Sequence, residues 1–338
     1  MTTAGALHSA HDFAGFVKLL GRGKTSRRSL TESEAEEAFG MILDGVATEA
    51  QIGAFLMLLR VKEETSAEIT GMVRAARARC LAPDALLGVD LDWPSHSGKR
   101  QHHPWYLLSA LLLAGAGMRV LMHGCAPHAA DRLFAVDALR ELGICAAASW
   151  EQASQQLDNC CFSFIALGTI STSLQSLMDK RAEFGLRSPV NTLVRHLNPA
   201  RARAGLRSLH HPAYAALHVE SAIALGSEGI AVFRGEGGEC EIRADADTSL
   251  TLVRAGNGID IRVARSLPQR AAKPDQPCAL ALRALWNETA HCPYGIEAVL
   301  GTAAVALLAL GQETDMEGAR AQALRIWRNR AALPGTIA

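Results

Sequence analysis

Apolar residues return at helical spacing as far as Cys80, and in strand-length runs after that. Behind three polar openings, Thr31-x-x-Glu34, Thr48-x-x-Gln51 and Thr65-x-x-Glu68, run the sets Ala35/Phe39/Ile42/Leu43, Ile52/Phe55/Leu56/Leu59 and Ile69/Met72/Val73/Ala76. Each opening is a capping box: a hydroxyl satisfies an orphan helix N–H while the residue three positions on reaches back. The stripes behind them predict three successive amphipathic helices.

Pro83 marks a boundary. Beyond it, β-type runs at Gly88–Leu91, Arg119–Met122, Phe162–Leu167, Ile230–Arg234, Leu250–Val253 and Asp260–Val263 alternate with helical stretches at His103–Ala114, Ala129–Leu142, Pro293–Leu310 and Met316–Arg330. That alternation predicts an α/β layer with a largely parallel sheet. The expected organisation is a small N-terminal α-helical domain over 12–82, completed by helices within about 171–200, and a larger α/β domain over 83–338 whose central sheet is flanked by helices.

Composition changes this picture little. The chain has 338 residues, 49% hydrophobic and 20% charged, with 34 basic and 34 acidic side chains. A net charge of zero gives no global argument for a polyanionic partner, so the distribution matters more. No acid falls between Trp93 and Ala130, where Lys99, Arg100 and Arg119 lie, nor between Phe184 and Val219, where Arg187, Arg195, Arg201, Arg203 and Arg207 lie. A further basic run holds Arg22, Lys24, Arg27 and Arg28. Segregated charge of this kind can present a basic groove on a neutral protein, although any one run is as readily a solvated helix face.

The eight cysteines form no CxxC pair, and adjacent Cys160–Cys161 suit no simple disulfide framework. They read as reduced thiols of a cytoplasmic protein. The apolar runs Leu107–Met118 and Ala298–Leu310 fall short of the roughly 20 residues of a membrane span. The N-terminus has His8, His11 and Asp12 where a signal peptide needs a basic then apolar stretch. The histidines His96, His102 and His103 lack a partnered Cys or Glu set, so no metal site is expected. Cys125 has no catalytic base near it in sequence and reads as a small buried thiol.

Two stretches carry a family resemblance. Gln51-Ile-Gly-Ala-Phe-Leu-Met-Leu-Leu-Arg-Val-Lys, continuing through Glu64-Thr-Ser-Ala-Glu-Ile-Thr-Gly71, is similar to the N-terminal signature of the anthranilate phosphoribosyltransferases. Arg181-Ala-Glu-Phe-Gly-Leu-Arg-Ser-Pro-Val-Asn191, ending Leu197-Asn-Pro199, resembles that family's arginine-bearing segment. The resemblance runs from about Phe13 to Arg330 and implies the nucleoside phosphorylase/phosphoribosyltransferase fold of the anthranilate type, within glycosyltransferase family 3. It also implies a reaction in which pyrophosphate leaves a ribosyl carbon, with positioning and charge neutralisation as the protein's work.

The residues that work requires are altered. Where the family has a GTGGD phosphate loop, this chain reads Ser95-His96-Ser97-Gly98-Lys99. Where it has a KHGNR-like turn, the chain reads Met122-His123-Gly124-Cys125-Ala126. The magnesium-holding Asp-Glu pair falls in Gly235-Glu236-Gly237-Gly238-Glu239, which keeps Glu239 alone. What remains is a remnant substrate pocket of Ser95, Ser97, Gly98, His123, Gly124 and Asn191, with no catalytic residue assigned.

Leu20-Gly-Arg-Gly-Lys24, Arg60-Val-Lys-Glu-Glu and His211-Pro-Ala-Tyr214 resemble a divergent bacterial branch of this fold that lacks the transferase motifs. That resemblance implies a homodimer, joined through the helical domain, that binds nucleic acid without sequence preference. The expected phosphate contacts are Arg22, Lys24, Arg27, Arg28, Lys99, Arg100, Arg181, Arg187, Arg195, Arg201, Arg203 and Arg207, to DNA or RNA, with no cofactor. The alternatives are a transferase using phosphoribosyl pyrophosphate, magnesium and an anthranilate-like acceptor, and a scaffold or small-anion sensor.

Overall fold

The capping boxes form as the sequence predicts. In a computed structural model that describes residues 9–23, 25–80, 88–125 and 131–333, Thr31 caps Glu32–Leu43 and Thr48 caps Glu49–Lys62, each with its reciprocal side chain in place. Glu68 does more than close the box at Ser66–Cys80. Fully buried, it accepts from the Thr65 and Leu30 amides, each at 2.8 Å, and pairs with Lys62 Nζ at 2.8 Å. A helix the sequence reading did not anticipate, Ala10–Gly21, precedes these three and is capped by Ser9.

The chain divides into two compact units, Met1–Cys80 with Thr172–Leu197, and Leu81–Ser171 with Asn198–Ala338. The first is all-helical. Its returning segment supplies Thr172–Asp179 and two single-turn helices, Arg181–Phe184 and Val190–Leu193. Arg77 ties this segment to Ser66–Cys80 by donating to the carbonyls of His196 and Leu197, each at 2.9 Å. Gly71 makes room for helix packing: a Cβ there would lie 2.1 Å from the Glu32 carbonyl oxygen.

The second unit is built on a seven-stranded sheet: β1 Leu91–Ser95, β2 Val120–Gly124, β3 Phe162–Ala166, β4 Ala204–Leu209, β5 Gly229–Arg234, β6 Thr248–Arg254 and β7 Asn257–Val263. Their order is β3-β2-β1-β4-β5-β6-β7, parallel from β3 to β5, with β6 and β7 antiparallel at one edge. The larger core gathers around the helices Tyr106–Gly115 and Pro293–Leu310. A smaller one, with Leu209, Ile230, Val232 and Val253, packs against Ala215–Ala224. Pro293–Leu310 is apolar and, at 18 residues, long enough to span a bilayer, but 83% of it is buried in the core.

Two differences from the sequence reading matter for the site. β1 runs to Ser95 rather than ending at Leu91, although Pro94 has no N–H for a ladder. The structure accommodates it because β1 pairs with β4 only at Leu91 and Asp92 and then continues beside β2 alone. β4 itself carried no strand signal in the sequence, since Arg207 and Ser208 mask its apolar alternation. The chain therefore changes direction across the sheet between β1 and β4, and those strands part at their carboxyl ends. A topological switch point of this kind is where open α/β sheets hold ligands.

Candidate functional site

Loops after β1, β2 and β5 meet at the carboxyl ends of the strands. In the first, the Ser97 and Gly98 amides both donate to Glu239 Oε1 at 2.6 Å. Gly98 has φ +66, so successive N–H groups can converge on one anion. That anion belongs to the chain itself, and the Glu239 side chain is shut away from solvent.

Lys99 follows, wholly buried. It pairs with Glu236 and, at 2.7 Å, with Glu241 Oε1, whose second oxygen accepts from the Tyr106 amide at 2.9 Å. Burial alone would depress the Lys99 ammonium, but the two carboxylates outweigh it and the pKa is raised. Burial pushes Glu241 up to about 7, against the pull of Lys99. A magnesium ion needs free, hard oxygen ligands. Glu236 and Glu241 are committed to Lys99, and Glu239 gives one oxygen to two backbone amides, so the donor set does not fit that ion. Among the described residues, no group of three or more His, Cys, Asp and Glu could hold a metal.

At the second loop, Gly124 is dictated by packing: a Cβ would lie 2.1 Å from the Ser95 carbonyl oxygen. The buried His123 places Nε2 3.2 Å from Asp92 Oδ1, and Asp92 Oδ2 lies 2.7 Å from the buried Arg207. Burial pushes the Asp92 carboxyl up, but Arg207 and His123 more than offset this and hold it below its usual range. His123 Nδ1 faces His96 Nε2 at 3.3 Å, and His96 Nδ1 lies 3.1 Å from Cys125 Sγ. Ser95 shares a 2.9 Å hydrogen bond with Tyr106.

A cleft of about 710 Å³ opens beside these loops, at the ends of β4 and β5. Arg100, Arg132, Arg234, Arg243, Arg270 and His210 line it. The acids on its wall, Glu236 and Asp247, are already engaged with Lys99 and Arg262. Arg132 donates to the Ser97 carbonyl at 3.0 Å, and Arg243 and Arg270 pair with the buried Asp245. Arg234 makes no ion pair among the described residues.

Three of the basic residues picked out in the sequence, Lys99, Arg195 and Arg207, are buried. Lys99 and Arg207 are internal counterions rather than phosphate-facing cations, because carboxylates distant in sequence reach them first. Arg195 is buried in the turn Val194–His196 of the helical unit. In the same unit Arg22, Arg27 and Arg181 are exposed, Arg187 is half-buried, and Arg28 pairs with Glu34. Lys24 lies outside the described residues. In the α/β unit Arg201 and Arg203 are exposed, Arg203 facing Asp90 at 3.3 Å, while Arg100 reaches the cleft and contacts Asp131 at 3.3 Å.

Asn191 closes a local turn by accepting from the Ser188 amide at 3.2 Å. His102 stacks on Tyr294 and His103 accepts from the Cys278 amide, each with its pKa lowered by burial. Sequence reasoning missed Arg132, Arg234, Arg243 and Arg270, which come from four separate segments. It also missed Glu241 and the contact between His96 and Cys125.

A family model described as glycosyl transferase family, helical bundle domain, matches residues 18–80, and its a/b domain counterpart matches residues 106–333. The chain is 33% identical over 324 residues to the anthranilate phosphoribosyltransferase of Methylocella silvestris, covering 93% of this chain and 91% of that one. It is 32% identical over 302 residues to the enzyme of the same name from Novosphingobium aromaticivorans, covering 85% and 88%. The crystal structure of anthranilate phosphoribosyltransferase from Thermus thermophilus aligns with a TM-score of 0.77 at 24% identity, covering 95% of this chain and 94% of that one. The Saccharomyces cerevisiae enzyme in complex with PRPP and Mg aligns at 0.76 with 15% identity over the same shares, a likeness of fold.

Proposed function

Because the chain belongs to the glycosyl transferase family that includes the anthranilate phosphoribosyltransferases, we propose that it keeps their fold as a metal-free holder of nucleic-acid phosphates and does not displace pyrophosphate. The observation that carries this reading is the Glu239 carboxylate seated on the Ser97 and Gly98 amides. A pyrophosphate group would have to evict that carboxylate, and Lys99, held by Glu236 and Glu241, is not there to neutralise it. Cationic surface is offered instead by the neighbouring cleft, where Arg100, Arg243 and Arg270 pair with Asp131 and Asp245 while Arg132 and Arg234 make no ion pair among the described residues.

Such a surface meets backbone phosphates as point charges and bidentate forks, with little demand on base identity. A homodimer through the helical unit, where Val61 and Leu186 are exposed apolar side chains, would carry two clefts and gain affinity by avidity. Fluorescence anisotropy with labelled single- and double-stranded DNA of mixed sequence tests the reading. Binding that falls roughly a thousand-fold between 50 and 200 mM salt is expected. No binding at about 50 mM salt would end it.

Transferase activity is the second reading, favoured by identity to named transferases across 93% of the chain and by the family-like Arg181 and Asn191. Incubation with phosphoribosyl pyrophosphate, magnesium and anthranilate decides it. Pyrophosphate release above blank would establish turnover and displace the first reading.

A further inference from the structure

Strands β1 and β2 and the first residues past their ends hold a series of polar contacts that neither reading uses. It runs Cys125 Sγ, His96 Nδ1, His96 Nε2, His123 Nδ1, His123 Nε2, Asp92, with contacts of 3.1, 3.3 and 3.2 Å. Its direction follows from its inner end. Asp92 faces Arg207 and is an ionised, acceptor-only carboxylate. The His123–Asp92 contact is not an aligned hydrogen bond, but a carboxylate beside Nε2 favours an N–H there over a lone pair, so a neutral His123 carries its proton on Nε2.

His123 Nδ1 is then an acceptor, which fixes the His96 proton on Nε2. That leaves the lone pair of His96 Nδ1 aimed at the thiol. Tautomers in such a series are set by the partner of the other ring nitrogen.

We infer that Cys125 is an activated thiol nucleophile, with His96 as its base and His123 as the residue that positions His96, and that the site takes small uncharged electrophiles. A Cys–His contact of this kind favours the thiolate, the reactive form. Cys125 lies just past the carboxyl end of β2, 7% exposed, and His96 is 8% exposed, so bulk water is largely kept away and only a small reagent would suit the site. With iodoacetamide, the Cys125 proton passes to His96 Nδ1, the sulfur forms a bond to the methylene carbon, and the carbon–iodine bond breaks to release iodide. Neither nucleic-acid binding nor phosphoribosyl transfer enters this step, so their failure leaves it standing.

Alkylation of the native full-length chain by iodoacetamide, followed by peptide mapping between about pH 6 and 9, tests the inference. The exposed Cys145 is the internal reference. Cys125 is expected to react at least roughly tenfold faster than Cys145 at about pH 6.5, with its rate midpoint well below the roughly 8.5 of an ordinary thiol. H96Q removes that advantage, and H123Q moves the midpoint upward while Cys125 remains reactive. A Cys125 rate below that of Cys145 at about pH 6.5, or one unchanged in H96Q, overturns the assignment. If H96Q does not fold, the wild-type profile decides alone, since a midpoint near about 8.5 has the same consequence.

Discussion

Glu239 Oε1 lies 2.6 Å from the amide nitrogen of Gly98, so a turn shaped to hold an anion is filled from within the chain. The same oxygen takes the Ser97 amide. Two charge-assisted bonds to one buried oxygen form a tight contact. The loop after β1 is thus locked to the loop after β5.

Replacing Glu239 with alanine should therefore act in two ways. It orphans two buried donors, at a cost of about 1–3 kcal/mol each if nothing replaces the carboxylate. It also vacates a two-amide nest that inorganic phosphate or pyrophosphate can enter. The expected result in thermal unfolding is a lowered melting temperature for E239A that millimolar phosphate partly restores, with no such response in the wild type. An E239A protein indifferent to phosphate would show that the nest collapses when emptied.

Lys99 makes a contrasting case. K99M leaves Glu236 and Glu241 as buried carboxylates without their cation, and breaking a buried pair by removing one partner costs about 3–5 kcal/mol. Urea unfolding should show that loss, and the triple variant K99M/E236Q/E241Q should recover much of it. If Lys99 instead met ligand phosphate, K99M would weaken DNA binding without unfolding the protein.

The pH dependence of stability should carry the mark of Glu241. Its folded pKa is raised from 4.5 to about 7. The native state thus holds this proton more tightly than the unfolded chain, and the stabilisation is complete below about 4.5 and lost as pH rises through about 7. Asp92, Asp44 and Asp245 are shifted downward and act in the opposite sense at lower pH. The difference between wild type and E241Q isolates the Glu241 part. Urea midpoints taken at about pH 5 and pH 8 should draw closer together in E241Q.

Nucleic-acid affinity should follow the cleft rather than the sequence-defined basic runs. R100A/R234A removes two cleft cations whose one ionic partner among the described residues is the exposed Asp131. DNA affinity should fall across all sequences, and the slope of log affinity against log salt should flatten by about two. R203A, at an arginine that faces Asp90 outside the cleft lining, should leave affinity within about twofold. The opposite ranking in anisotropy titrations would place the polyanion elsewhere.

What the sequence determined by itself was local. Thr31, Thr48 and Thr65 each sit three residues before a Glu or Gln, and each starts a helix there because a capping box is satisfied within one turn of chain. The largely apolar segment Pro293–Leu310 marked its helix to the residue for a similar reason. Lys99, Arg207 and Cys125 depended on partners that only the fold delivers. Glu241 stands 142 positions from Lys99, and His96 stands 29 from Cys125. Acid-free stretches of sequence therefore looked like open cationic surface, while the folded chain had drawn distant carboxylates onto two of those cations. Periodicity and capping are settled within a few residues, whereas the state of a buried charge is settled by whatever the sheet order brings against it.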